Sequence, residues 1–155
     1  MDRYDRMILA ALQRDATVTL DDLVKRIGLS KSPCWRRIML LEQSRIIRQR
    51  VALLDETKLN LGVSAFVSVR AKSHSPEWVT RFSEVVVRMP EVVEAYRMSG
   101  KFDYLLKVLV PDIATYDAFE RSLSTTLDLE MVLPKFSLQR FKSTTELPLA
   151  YAEGV

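Results

Sequence analysis

Residues 19–42 read Thr-Leu-Asp-Asp-Leu-Val-Lys-Arg-Ile-Gly-Leu-Ser-Lys-Ser-Pro-Cys-Trp-Arg-Arg-Ile-Met-Leu-Leu-Glu, and they decide the fold of the front of the chain. Thr19 is a good helix N-cap. Asp22 stands where a carboxylate answers that cap and favours the positive helix end. Leu20, Leu23, Val24 and Ile27 follow at spacings of three and four, which makes one apolar stripe. Gly28 ends the helix, since glycine takes the left-handed conformation found just past a helix end. Leu29 plugs the corner. Ser30 or Ser32 caps a second helix, and Pro33 fits its first turn, where a missing amide costs nothing.

The second helix carries the chemistry. Cys34, Ile38 and Leu41 share a face and point inward. Ser32, Arg36, Met39 and Gln43 then point outward, with Arg37 and Lys31 flanking. A helix laid in the major groove of DNA needs short polar groups at its start and arginines that reach guanine edges or phosphates. The spacing predicts an upstream helix from Asp5 to Arg14, with Ile8, Leu9 and Leu12 on one side. The three together outline a helix-turn-helix. The rival reading is a three-helix bundle with a solvated charged face. Charge placement separates the two. Residues 1–50 hold 11 Lys and Arg against 6 Asp and Glu, whereas residues 51–155 hold 12 against 14. The basic excess therefore belongs to the region that would meet phosphates.

The sequence is long enough for one ordinary domain or two small ones. Its hydrophobic share of 48% supports real cores. No apolar run is long enough to span a membrane, and no apolar signal segment follows the charged start. One cysteine makes no internal disulfide, which suits a reducing cytoplasm.

The period changes after the basic helix. Residues 46–54 are strand-like with partial alternation, and residues 55–61 read as a connector with a helical turn. From Gly62, residues 63–72 alternate as a half-buried strand does. Ser75-Pro76-Glu77 opens a helix with Trp78, Phe82, Val85, Val86 and Met89 on one stripe, closed by Pro90. Residues 92–98 form a second strand, Gly100-Lys101-Phe102-Asp103 a turn, and residues 104–110 a third strand. Asp112 caps a helix with Ile113, Tyr116, Phe119 and Leu123 on one face. A last strand lies within residues 131–142. This order is a split β-α-β pair, a ferredoxin-like βαββαβ sandwich. The expected class is α+β: a helix-turn-helix domain over 1–54, a linker over 55–61, and the sandwich over 62–155. The apolar share of the outer sheet face predicts at least a homodimer.

These halves, in this order, resemble the Lrp/AsnC (feast/famine) family of transcription regulators. The resemblance covers nearly the whole chain. At the front it rests on Asp5-Arg6, Ile8-Leu9, Leu12-Gln13, Gly28-Leu29-Ser30, Pro33-Cys34-Trp35-Arg36-Arg37-Ile38 and Leu41-Glu42. At the back it rests on Pro90-Glu91-Val92, the run from Gly100-Lys101-Phe102-Asp103 into Tyr104-Leu105-Leu106, Pro111-Asp112, and Lys142-Ser143-Thr144-Thr145-Glu146-Leu147-Pro148-Leu149. It implies a winged helix-turn-helix reader at the front and an amino-acid-sensing domain at the back, in a cytoplasmic, sequence-specific DNA-binding regulator that is not an enzyme. Ser30, Lys31, Ser32, Trp35, Arg36 and Arg37 would meet double-stranded DNA. An amino-acid effector would bind at Met98, Ser99, Gly100, Lys101, Phe102 and Asp103. The resemblance further implies homodimers that assemble into octamers or related rings, with no cofactor, no metal and no membrane. Pro33-Cys34-Trp35 and His74-Ser75-Pro76-Glu77-Trp78 are similar to a subgroup that includes cysteine-responsive regulators. Two other functions stay open: a nucleoid-associated DNA-packing protein, and an amino-acid-binding module without sequence-specific DNA binding.

The chain departs from the family at three places. The family usually has glycine where Arg45 stands, so an arginine must take that bend at a cost of order 1 kcal/mol, or the helix ends differently. Basic residues are common where Met39 and Leu40 sit. A usual Pro-Gly is Leu127-Asp128, and a frequent threonine is Pro134, which reshapes one wall of the expected cleft.

Single residues carry two readings each. Cys34 reads as a packed core thiol before it reads as a sensor. Trp35 packs on a neighbouring helix or brushes a DNA sugar, with packing favoured, and Trp78 belongs to the core. The single histidine, His74, reads as a surface residue ahead of a helix before it reads as part of the effector cleft, and one cysteine elsewhere does not make it a zinc site. No nucleophile-base-acid set or glycine-rich phosphate loop is present.

Overall fold

Thr19 and Gly28 frame the second front helix as their chemistry requires. In the computed structural model, which describes residues 1–152, the Thr19 hydroxyl accepts the Asp22 amide at 3.2 Å and donates to the Asp22 carboxylate at 2.8 Å. Gly28 closes the helix at φ 77°. The front helices are α1 (Arg3–Leu12), α2 (Leu20–Ile27) and α3 (Lys31–Gln43). α1 begins ahead of the expected Asp5, because Asp2 and Asp5 make a reciprocal capping box. Ile8, Leu9, Leu23, Ile27, Cys34, Ile38 and Leu41 form one buried core between the helices.

The described chain divides into two units: Met1–Leu53 together with residues 142–152, and Leu54–Phe141. The sequence assigns residues 62–155 to one rear domain, so the grouping of the closing segment is a difference. Its cause is long-range bonding to the end of α1. Gln13 clamps the Leu147 backbone, donating to its carbonyl at 3.2 Å and accepting its amide at 3.0 Å. Arg14 pairs with Glu146 at 3.0 Å, and Leu149 packs on the helical core. Residues 153–155 of the expected range lie outside the described residues.

The expected strand over residues 46–54 is not formed among the described residues. A strand needs a neighbour to complete its ladder, and no described segment pairs with it. Val51, Leu53 and Leu54 stay exposed.

The second unit contains β1 (Val63–Ala71), α4 (Pro76–Arg88), β2 (Val92–Arg97), β3 (Tyr104–Val110), α5 (Ile113–Thr126) and β4 (Leu129–Phe136). All strand pairs are antiparallel, in the order β2-β3-β1-β4. This is the expected βαββαβ sandwich. Alternation decides the faces. Ala65, Val67, Val69 and Ala71 of β1 and Tyr104, Leu106, Val108 and Val110 of β3 join Phe82, Val86, Tyr116, Phe119 and Leu123 in the core. Ser75 caps α4 through the Trp78 amide, and Asp112 caps α5 through the Thr115 amide. Ile113, expected on the inner face of α5, is 55% exposed, since it sits in the first turn before the helix meets the sheet. The opposite sheet face carries exposed Phe66, Tyr96, Met131 and Leu133, around an ion pair of Lys107 and Glu94 at 2.8 Å.

Candidate functional site

α3 places its residues by the 100° step of a helix. Cys34, Ile38 and Leu41 point into the core, so Ser32, Trp35 and Arg36 must point away from it. Lys31, Ser32, Trp35 and Arg36, with Leu20 of α2, line an open cavity of about 480 Å³. Trp35 is 56% exposed, which corrects the expectation that it packs. Lys31 reaches back to Asp21 at 2.6 Å. Arg36 is exposed and makes no ion pair among the described residues. Ser30 is the N-cap residue of α3, yet its side chain makes no capping bond. The start of α3 therefore offers an indole face, the hydroxyls of Ser30 and Ser32, and one uncommitted guanidinium. Those groups suit base edges and phosphates.

Arg37 behaves differently, against the expectation that it flanks the outer face. It lies closer to the buried stripe and turns toward α1. Its Nη1 meets Asp5 and Asp2, each at 2.7 Å, and its guanidinium lies 5.5 Å from the Tyr4 ring centre. The Asp5 hydrogen bond, against some desolvation, holds the Arg37 guanidinium firmly protonated. Backbone amides and Arg37 hold the Asp2 carboxyl below the usual range. Arg37 is thus spent on joining α3 to the start of α1. The sequence alone offers no signal for this pairing across 32 positions.

A second cationic cleft, of about 280 Å³, lies past the end of α3 and is lined by Glu42, Arg45, Ile47, Arg48, Gln49 and Arg50. Its arginines add to the basic excess of the front half, but no spacing in the sequence marks them as site residues. Arg45 takes the left-handed conformation at φ 61°, as the departure from glycine requires.

In the second unit, residues 98–103 join β2 to β3. Gly100 sits at φ 117°, and the Met98 amide donates to the Asp103 carbonyl at 2.7 Å. Asp103 is tied to the sheet: its amide donates to the Val69 carbonyl at 2.9 Å, and its Oδ2 accepts the Ala71 amide at 2.9 Å. Its Oδ1 faces His74 Nε2 at 3.7 Å. His74 therefore belongs with this turn, a proximity that chain spacing does not reveal. Arg70 donates from Nε and Nη2 to the Lys101 carbonyl at 2.9 and 2.7 Å and lies against the Phe102 ring. Of the residues that depart from the family pattern on this wall, Leu127 is buried and Asp128 pairs with Lys72 at 2.7 Å. Among the described residues no group of three or more His, Cys, Asp or Glu could hold a metal ion.

Burial pushes the Cys34 thiol up, with Arg37 opposing. A fully buried, protonated thiol is a packing group.

Comparison with known proteins gives a consistent result. Residues 64–147 match the profile of the Lrp/AsnC ligand binding domain, and residues 1–48 match that of a winged helix-turn-helix DNA-binding domain. The chain is 44% identical over 149 residues to the glutamate uptake regulatory protein of Zymomonas mobilis, covering 96% of this chain and 91% of that protein. The crystal structure of an AsnC family transcriptional regulator from Agrobacterium tumefaciens superposes with a TM-score of 0.94 at 56% identity, covering 97% of this chain and 99% of that one. A transcriptional regulator from Neisseria meningitidis, solved as an L-Met complex, gives a TM-score of 0.94 at 33% identity, covering 98% and 99%.

Proposed function

The chain belongs to the Lrp/AsnC family, and from that we propose that it is a sequence-specific, DNA-binding transcription regulator whose assembly or DNA binding responds to an amino acid. The observation that carries the DNA half is the exposed, unpaired Arg36 beside Ser32 and Trp35 on α3. These residues, with Ser30 and Lys31, read bases and fix register on double-stranded DNA. Lys31 exchanges Asp21 for a phosphate, since an exposed pair costs little to break. Arg37 supports the interface by fixing α3 to α1.

The effector half is carried by the turn at residues 98–103. Gly100 leaves the turn backbone without a Cβ, so an amino-acid carboxylate can approach its amides. Asp103 accepts from the ammonium group through Oδ1, the oxygen not used by Ala71. The relative solved with L-Met supports this ligand class. The outer sheet face is covered by a second copy, and dimers build octamers or related rings. Effector binding shifts which assembly is favoured, by its differential affinity for the two. The protein works as a non-enzyme in the cytoplasm, beside the DNA it controls.

A mobility-shift titration of the intact protein on its own upstream DNA, against unrelated fragments, tests this reading. Strong retention of a few fragments is expected, and Arg36→Ala should weaken specific binding by about 1–3 kcal/mol. Equal retention of all fragments would mark a DNA-packing protein instead.

A further inference from the structure

The conformation of Arg45 is strained for a residue with a Cβ, and glycine would relieve it. The turn itself serves the end of α3, where the Arg45 amide donates to the Glu42 carbonyl at 3.0 Å, the Ile47 amide donates to the Leu41 carbonyl at 2.9 Å, and Ile47 packs on the helical core. A glycine would serve that turn at lower cost, and the arginine side chain adds nothing inside the unit: among the described residues it makes no hydrogen bond or ion pair, and it is exposed. Arg48 is exposed and equally uncommitted. The third arginine of the cleft differs, since Arg50 is neutralised by Glu42 at 2.9 Å. Two uncancelled guanidinium groups therefore share one cleft with the polar side chain of Gln49. Two exposed cations that nothing in the unit neutralises, side by side in one cleft, suit an anion outside the chain.

The length of α3 says which partner. Its 13 residues span about 20 Å at 1.5 Å per residue, whereas the major groove is about 12 Å wide. A helix laid across that groove, with its first turn over one strand, carries its far end to the opposite strand. Arg45 and Arg48 lie at that far end. We propose that the Arg45–Arg48 cleft is a phosphodiester-binding site that grips the DNA strand opposite the one met by Lys31 and Ser32. It rests on the proposed DNA-binding function and extends it to a sequence-independent clamp. The left-handed Arg45 is the cost of aiming a cation where a glycine would leave none.

The test pairs stability with salt dependence in the intact protein. Each phosphate that is no longer neutralised should lower the slope of log affinity against log salt by about 0.9. Arg45→Gly should raise the melting temperature by about 2–4 °C while reducing that slope by about 0.9 per recognition unit engaged. Arg45→Lys keeps the charge and should keep most of the slope. Arg48→Ala should reduce the slope with little change in melting. If Arg45→Gly binds its upstream DNA with the parent slope and affinity, the site is rejected. If it melts lower than the parent, Arg45 is not strained and the inference fails at its first step. A parent protein that binds no upstream DNA at any salt would instead overturn the DNA-binding function, and the clamp with it.

Discussion

Cys34 and Arg37 show how two residues three positions apart take opposite fates on a single helix. Cys34 faces the core at 0% exposure, so its thiol should resist a disulfide reagent in the folded protein at about pH 8 and react fully once denaturant is added. Native reactivity at the unfolded rate would contradict the buried assignment. The pH dependence has a fixed sign. The folded thiol titrates above the ordinary 9.0, so its contribution to stability is complete below that value and is lost as pH rises beyond it. Denaturant midpoints should therefore fall above about pH 9, and Cys34→Ala should flatten that fall. Arg37→Ala removes a partly buried cation from Asp5, and should destabilise the helical unit by about 1–2 kcal/mol. Arg37→Lys should not restore it, because one ammonium does not reproduce a planar fork. The fate of Arg37 is not legible in the sequence. Its position on the helix is clear, but its carboxylate partners come from the start of α1.

The turn between β2 and β3 separates binding from folding. Asp103→Asn keeps an oxygen for the Ala71 amide and removes only the negative charge, so the sheet should form and DNA binding should persist. Amino-acid affinity measured by isothermal titration should fall at least about tenfold, the scale of one charge-assisted hydrogen bond. Equal affinity in this variant and the parent would reject the turn as the effector site. Elements that depend on local chemistry are readable from the residues alone: the Thr19 cap, the Gly28 stop, the Cys34-Ile38-Leu41 stripe, and the Ser75 and Asp112 caps. Residues 46–54 escape such a reading because alternation reports the residues a strand favours, while a strand also needs a neighbour. The return of the closing segment is invisible for a related reason. Gln13 and Leu147 meet across 134 positions, and nothing local in either announces the clamp. The candidate site is legible to the same degree. Side chains placed by one helix can be found from spacing, whereas His74 beside Asp103 cannot.

Each unit carries a face that its own chain leaves open. On the sandwich, Phe66 and Leu133 project from the outer sheet face, each about two-fifths exposed, around the Glu94–Lys107 pair. Lys107, and Tyr96 beside it, hold the Glu94 carboxyl below its usual range, so Glu94 stays ionised at neutral pH. Leu133→Glu should shift sedimentation toward the monomer without unfolding the sheet, and an unchanged assembly would remove this face from the interface. On the helical unit the open face is α3. Dimethyl sulfate footprinting examines it most directly, because the reagent marks guanine N7 in the major groove and adenine N3 in the minor groove. The parent protein should protect guanine N7 in two half-sites about one helical turn apart or a multiple of it, and Arg36→Ala should lose one protected guanine in each. Protection confined to adenine N3, or a pattern unchanged by Arg36→Ala, would contradict the placement of α3 in the major groove.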